Sequence, residues 1–300
     1  MRLIKPVEIT GPKLISSNVP ENDYAAWSST ATYAIGNRVM LDHQVWEAVA
    51  AVPAGVKPGA ETVTSENPAK WQLIGATNRW RMFDDKLESL TTNPGTITVT
   101  IKPGAVVNSI AMFNLVGKSV LVQMVDPVEG VVYSKSTPLV DAGVTNWYDW
   151  FFEPVGVRTD MVLLDLPAYG SADLVVTVDA GPEQAAVGHL VVGSQQVIGT
   201  ALYGTSVGIN DYSIKKVDDF GNTTVVRRSY SNRADFDIVL DTSNVSKVRR
   251  LLAEMRATPV VWIGEESYEA TILFGYYKDF TLVFSGPSVS EGSITVEAII

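Results

Sequence analysis

Short runs of β-branched and aromatic residues, many of them alternating with polar ones, fill most of this chain. Glycine, proline, asparagine or aspartate interrupts them at intervals of roughly 8–12 residues, the pattern of antiparallel sandwiches. It is clearest over 93–185, where 96–101, 106–114, 119–125, 130–134, 147–152, 160–166 and 173–178 read as strands. Turn signals separate them at Asn93-Pro94-Gly95, Pro103-Gly104, Asp126-Pro127, Asp141 to Gly143, Pro154 and Tyr169-Gly170. The expectation is an antiparallel β-sandwich, jelly-roll-like, over 84–186.

The last third reads differently. Strands are expected at 187–192, 194–198, 212–217, 223–229, 233–240, 260–263, 270–277, 280–284 and 293–299, with a hairpin tip at 218–222. Between them Val245, Val248, Leu251, Leu252 and Met255 recur at three- and four-residue spacing, which puts them on one face of a helix over 244–257. Thr242, Ser243 and Asn244 offer caps, and Pro259 follows the end. One helix over a sheet makes 187–300 an α+β domain. The apolar closing strand either lies inside its own sheet or pairs with a neighbouring subunit. At the other end, 1–23 holds four Pro and Gly residues among Thr, Ser and Asn, and reads as an extended arm with a strand at 7–10, of the sort that lies on a neighbour.

Residues 24–83 form a third unit. Four of the chain's seven tryptophans fall between Trp27 and Trp80. The runs 38–41 and 45–49 make a hairpin about Asp42-His43-Gln44, and 71–75 adds a further apolar run. Two such strands bury too little surface to stand in water, so Trp27, Tyr33, Trp46 and Trp71 must supply area, at roughly 150–250 Å² each. The same rings could form a platform for pyranose stacking. The fold class expected is therefore mainly β: a small Trp-rich β module, an antiparallel sandwich and a C-terminal α+β domain with one helix.

The order Trp27, Tyr33, Gly36, Val39, Trp46, Ala48, Pro58, Trp71 resembles the small chitin- and cellulose-binding modules of bacterial chitinases, across residues 24–75. Asn37 and Leu41 depart from that pattern, which has Asp after the Gly and often an exposed aromatic two residues after the Val. Such modules also occur within tailed-bacteriophage proteins. The junction from Gly75 to Asp84 resembles phage tail-tip and baseplate proteins, and the C-terminal α+β pattern is loosely similar to those that ring the tail tube. The region 93–185 is similar in general pattern to galactose-binding-like sandwiches. The resemblance implies a virion structural protein; the alternative is a carbohydrate-binding adhesin that uses the Trp-rich module.

Composition narrows the function classes. A net charge of −10 argues against a protein built to grip nucleic acid, because that binding rests on Lys and Arg neutralising phosphates. No cysteine is present, which excludes disulfides, Cys zinc sites and thiol catalysis. No apolar run reaches the roughly 18–20 residues of a membrane helix. Residues 1–6 lack the apolar core of a secretory leader, so synthesis in the host cytoplasm is expected.

Catalytic signals are weak. The two histidines, His43 and His189, read as solvated or hydrogen-bonded loop residues, with no Gly-x-Ser-x-Gly elbow to serve them. The acidic pairs Asp84-Asp85, Asp218-Asp219 and Glu265-Glu266 read as turn residues, since adjacent carboxylates point apart and a glycosidase needs two facing across a cleft. The glycine-rich stretch 199–208 lacks the Lys of a phosphate loop. No cofactor or metal is implied. Lys215-Lys216, Arg227-Arg228 and Arg249-Arg250 place basic patches on an acidic chain; they read as solvated faces, with complementary charge at a subunit contact as the second reading. In 147–152, strand alternation sends Trp147 and Phe151 to one face and Trp150 to the other. The candidate assembly residues are Trp147, Trp150, Arg249, Arg250 and Arg256. The function expected is a non-enzymatic virion component (tail tip, baseplate or collar) whose partners are copies of itself in a ring, other tail proteins and, in the alternative, a cell-surface glycan.

Overall fold

A computed structural model of the chain describes every residue except 61–63, 65–67, 142–146, 153–155, 218 and 300, and the backbone alone of 141, 149, 150 and 152. The Trp150 side chain, the Pro154 turn and part of the 218–222 tip thus lie outside the described residues.

Strands β1 (Arg2–Pro6) and β2 (Leu14–Ser17) open the chain. The Trp-rich segment gives β3 (Arg38–Leu41), β4 (Gln44–Ala48) and β5 (Trp71–Ala76). Then come β6 (Thr91–Ile101), β7 (Ser109–Phe113), β8 (Ser119–Asp126) and β9 (Gly130–Pro138). The short β10 (Val140–Asp141) and β11 (Gly156–Val157) flank helix α1 (Trp147–Phe152). They are followed by β12 (Met161–Leu163), β13 (Asp173–Val187), β14 (His189–Val197) and β15 (Thr200–Ala201). Next are β16 (Ser206–Asp211), β17 (Ile214–Val217), β18 (Thr223–Val226) and β19 (Tyr230–Asp241). Helix α2 (Val245–Glu254), β20 (Val260–Ile263), β21 (Ile272–Val283) and β22 (Val289–Ala298) complete the chain.

The protein is mainly β. A curled antiparallel sheet runs β12-β7-β14-β1-β20-β21-β22-β19-β15, with β16 also on β19. A second sheet runs β2-β6-β13-β8-β9, and a third, β3-β4-β5, belongs to the Trp-rich module. Period-2 alternation explains the second sheet: Val120, Val122 and Met124 of β8 and Leu174, Val176 and Val178 of β13 are buried, while their neighbours along each strand face outward. That buried face packs on Ile110, Met112, Leu190 and Val192 of the curled sheet, forming the sandwich. Elsewhere the curled sheet is covered on both faces, so β7 and β20 are apolar without alternation. One face, with Leu3, Phe236, Trp262 and Ile294, lies under Val245, Val248 and Leu252 of α2 and Met255 at its C-terminal cap. The other carries Ile4, Phe113, Val261 and Phe274, with Leu87, Val162, Leu164 and Ile299 packed against it.

The structure corrects several expectations. Residues 1–23 are not a free arm: β1 sits between β14 and β20, with Leu3 and Ile4 wholly buried, and β2 pairs with β6, whereas 7–10 is not a strand. Residues 147–152 form α1 rather than a strand, so the two-face alternation expected there does not apply. Aromatic β-propensity reflects packing on a pleated neighbour, and the β10–β11 ladder beside this segment spans just two residue pairs. The boundary expected at 186/187 falls inside β13, and strands from both sides of it share the curled sheet. Part of the glycine-rich stretch 199–208 is strand, in β15 and β16. The closing strand β22 has β21 on one side and β19 on the other, and so is not an edge.

Candidate functional site

The β3–β4 connection is the two-residue turn Asp42-His43, both with positive φ (51° and 65°), as hairpin twist demands. It brings all four candidate sugar-binding aromatics together, but facing inward. Trp71 is 4% exposed and its Nε1 donates to the Val56 carbonyl at 3.1 Å. The Tyr33 ring meets Trp71 edge-to-face at 5.2 Å, and its hydroxyl accepts from the Ser28 amide at 2.7 Å. Trp27 and Trp46 are half-buried around Val39, Ala48 and Val52. These rings are the module's core, and a buried Trp71 offers no face to a sugar. The module's rim carries groups that sequence reasoning passed over: Arg38 Nε donates to Glu47 at 2.7 Å and its Nη1 to the Tyr24 hydroxyl at 3.1 Å. Tyr24 and Arg38 border a cleft of about 480 Å³ with Ile74, Arg81, Lys86 and Glu88. The direct cross-strand pairing of Arg38 with Glu47 was the available signal.

The histidines have different surroundings. His43 stacks on Trp80 at 4.2 Å, and its Nδ1 lies 2.9 Å from Glu21. Burial alone would raise the Glu21 carboxyl, but hydrogen bonds from His43 and Thr77 outweigh it and hold it below the usual carboxylate value. His189, expected as a loop residue open to solvent or hydrogen-bonded, is instead packed against Phe274 at 4.3 Å with its Nδ1 unpartnered. Burial lowers it to about 4, so it is neutral at pH 7. Among the acidic pairs, Glu266 is exposed and ion-paired with Arg2, while burial raises the carboxyls of Asp84 and Asp85. A cleft of about 780 Å³ is lined by Asp160, Glu269, Val207, Ile209 and Arg233 among others. Asp160 accepts from the Asn114 amide at 2.9 Å, and burial raises its carboxyl. Among the described residues no three His, Asp or Glu gather within reach of one metal ion.

Residues 206–230 form a hairpin arm. The β16–β19 ladder runs from Ser206↔Asp235 to Asp211↔Tyr230, and β17 and β18 continue it as a separate two-stranded sheet. Residues 221–230 are exposed throughout; Val217 is 67% exposed and Phe220, at the tip, 91%. Lys215, Val225, Arg227, Arg228, Ile209 and Tyr230 line a cleft of about 390 Å³ on one side of the arm. The doublets Lys215-Lys216 and Val225-Val226 were the sequence signal: with strand period 2, each doublet puts like residues on both faces, so neither face is a core face. On α1, Trp147 is 81% exposed and Tyr148 and Phe151 are also exposed. Arg249 and Arg250 are exposed on α2, away from its buried stripe, and Arg256 is exposed in the turn just after it. The expected assembly residues therefore sit on two separate elements.

No family model matches this chain, and no curated protein does. Among solved structures, the chain is similar to a selenomethionine-labelled point variant of chitosan-binding module 1 from a Paenibacillus sp. IK-5 chitosanase/glucanase. Identity is 10%, with 40% of this chain and 86% of that one covered, at a TM-score of 0.27. Another structure of the same module gives 12%, 37%, 81% and 0.25. Likeness at this level is weak and settles neither fold family nor ligand.

Proposed function

We propose that this chain is a non-catalytic structural subunit that works as part of a multi-chain assembly. The observation that carries the reading is the arm. An isolated two-stranded hairpin is at best marginal in water, yet β17 and β18 extend from the body with Val217, Val225, Val226 and Phe220 all exposed. Large apolar side chains left in water on both faces of such a hairpin favour a protein contact. The setting in a tailed-phage virion is supported by the resemblance of the Gly75–Asp84 junction. The inward-turned aromatics of the Trp-rich module favour a packing role for it over glycan recognition. Size-exclusion chromatography with light scattering tests the reading: a defined multimer is expected, and a monomer at every attainable concentration refutes self-assembly.

A second reading, recognition of a glycan, is favoured by the Tyr24–Arg38–Glu47 rim beside its open cleft. Glycan titration of wild type and Arg38→Ala checks it. Binding that Arg38→Ala abolishes supports it, and no binding by wild type removes it.

A further inference from the structure

We infer that two copies of this chain pair about a two-fold axis, each setting the arginines of its arm against the carboxylates at the foot of the other's arm. This rests on the assembly reading above and specifies which surfaces meet and how the contact closes.

The surface concerned is a groove whose two ends carry opposite charge. One end is the cleft of about 780 Å³ at the foot of the arm, and the other is the cleft of about 390 Å³ beside β17 and β18. Ile209 of β16 is 66% exposed and lines both, so the two adjoin. The foot holds Asp160 and Glu269, neither of them in an ion pair among the described residues. The third charged group there, Arg233, is matched by Asp235. The arm end holds Arg227 and Arg228, likewise without an ion pair among the described residues. Its other two charges match each other, since Lys215 has Asp211 at 3.6 Å. Two unmatched carboxyls and two unmatched guanidiniums thus line a single groove.

Such a groove is its own complement. Laid antiparallel on a second copy, its basic end meets the other's acidic end and the reverse contact forms at once, as an isologous interface requires. A partner of one charge, such as an acidic peptide, would satisfy one end and be repelled by the other. Between the charged ends Val207, Ile209, Val225 and Tyr230 are each more than half exposed, and the pairing removes them from water. Asp160 has the Asn114 amide at 2.9 Å, and burial raises its carboxyl. A guanidinium, weakly hydrated and shaped for carboxylates, supplies the stabilisation that water there does not.

Sedimentation velocity on R227E/R228E and on Glu269→Lys tests this; unchanged far-UV spectra and melting temperatures establish that both fold. Wild type is expected to stop at two chains. Each reversal acts twice in a two-fold contact, and each variant should lose self-association by about tenfold or more. Mixed at equal concentration, the two variants keep one native contact between them and are expected to recover dimers. Variants that associate like wild type overturn the pairing and leave the assembly reading standing, as does wild type that grows beyond two chains. A mixture no better associated than either variant alone overturns the charge complementarity. In this cysteine-free chain, Ile209→Cys puts a thiol where the two ends meet and the axis crosses. A short bismaleimide should link those dimers, and no linkage in a dimeric sample overturns the arrangement. A monomeric wild type defeats both readings.

Discussion

Acid should weaken this fold through His189, and the size of the effect follows from its surroundings. The ring lies against Phe274 in the apolar layer of the curled sheet, with Nδ1 unpartnered. Burial lowers it from 6.5 to about 4. The nearest charge, Asp85 Oδ1, is 3.7 Å from Nε2, too far for a hydrogen bond, and that carboxylate is largely exposed. Between pH 6.5 and about 4 the unfolded chain therefore takes up a proton that the folded chain refuses. Stability contributed by neutral His189 is fully present above pH 6.5 and is lost as pH falls through that window. At about 1.4 kcal/mol per pH unit the loss amounts to about 3 kcal/mol. Asp84 acts in the opposite direction, because burial raises its carboxyl and protonation relieves that cost. Comparison with His189→Leu removes that contribution, since Leu fills the site and has no proton to bind. Urea denaturation at intervals from pH 7 to pH 4 should show the two stability curves diverging by about 3 kcal/mol. Parallel curves would refute the reasoning, because the ring would then have found solvent or a partner when charged.

Other substitutions probe the packing. Trp71→Ala should cost about 3–5 kcal/mol, because it empties the centre of the Trp-rich module, while half-buried Trp46→Ala should cost less; urea melts followed by tryptophan fluorescence rank them. Gly275→Ala should destabilise by about 1–3 kcal/mol or more, since the added methyl would stand 2.1 Å from the Glu297 carbonyl across the β21–β22 ladder; thermal melting measures this. Raising salt should weaken self-association of the wild type through the arm's cations, as sedimentation at low and high ionic strength would report, and an unchanged association constant would argue for a purely apolar contact.

Legibility in the sequence tracked the regularity of local signals. Strand β8, much of β13 and the buried stripe of α2 were readable because their side chains repeat at the period of the element, and β20 because it is a short unbroken run of β-branched and aromatic residues. The β3–β4 hairpin followed from its turn. Strand β1 was missed because Arg2-Leu3-Ile4-Lys5-Pro6 is short and adjoins a Pro- and Gly-containing stretch, and what makes it central is pairing with strands nearly 200 and 260 residues away. Helix α1 was misread because a run of aromatics has no period to distinguish strand from helix. The convergence of Trp27, Tyr33, Trp46 and Trp71 was foreseen, but not which way the rings turn, since burial depends on Val56 and Gly59 closing over them. The thermodynamic role of His189 was invisible, because Phe274 reaches it only through sheet pairing. The arm's strands were largely read, but not that they stand away from the body.

The claim that another copy covers the arm is tested most directly by amide hydrogen exchange over 214–226 as protein concentration rises. In dilute solution those amides should exchange rapidly while β20 and β21 stay protected. On assembly, exchange in 214–226 should slow. Rapid exchange across the arm in a sample shown to be multimeric would contradict it, and would place the contact elsewhere on the chain.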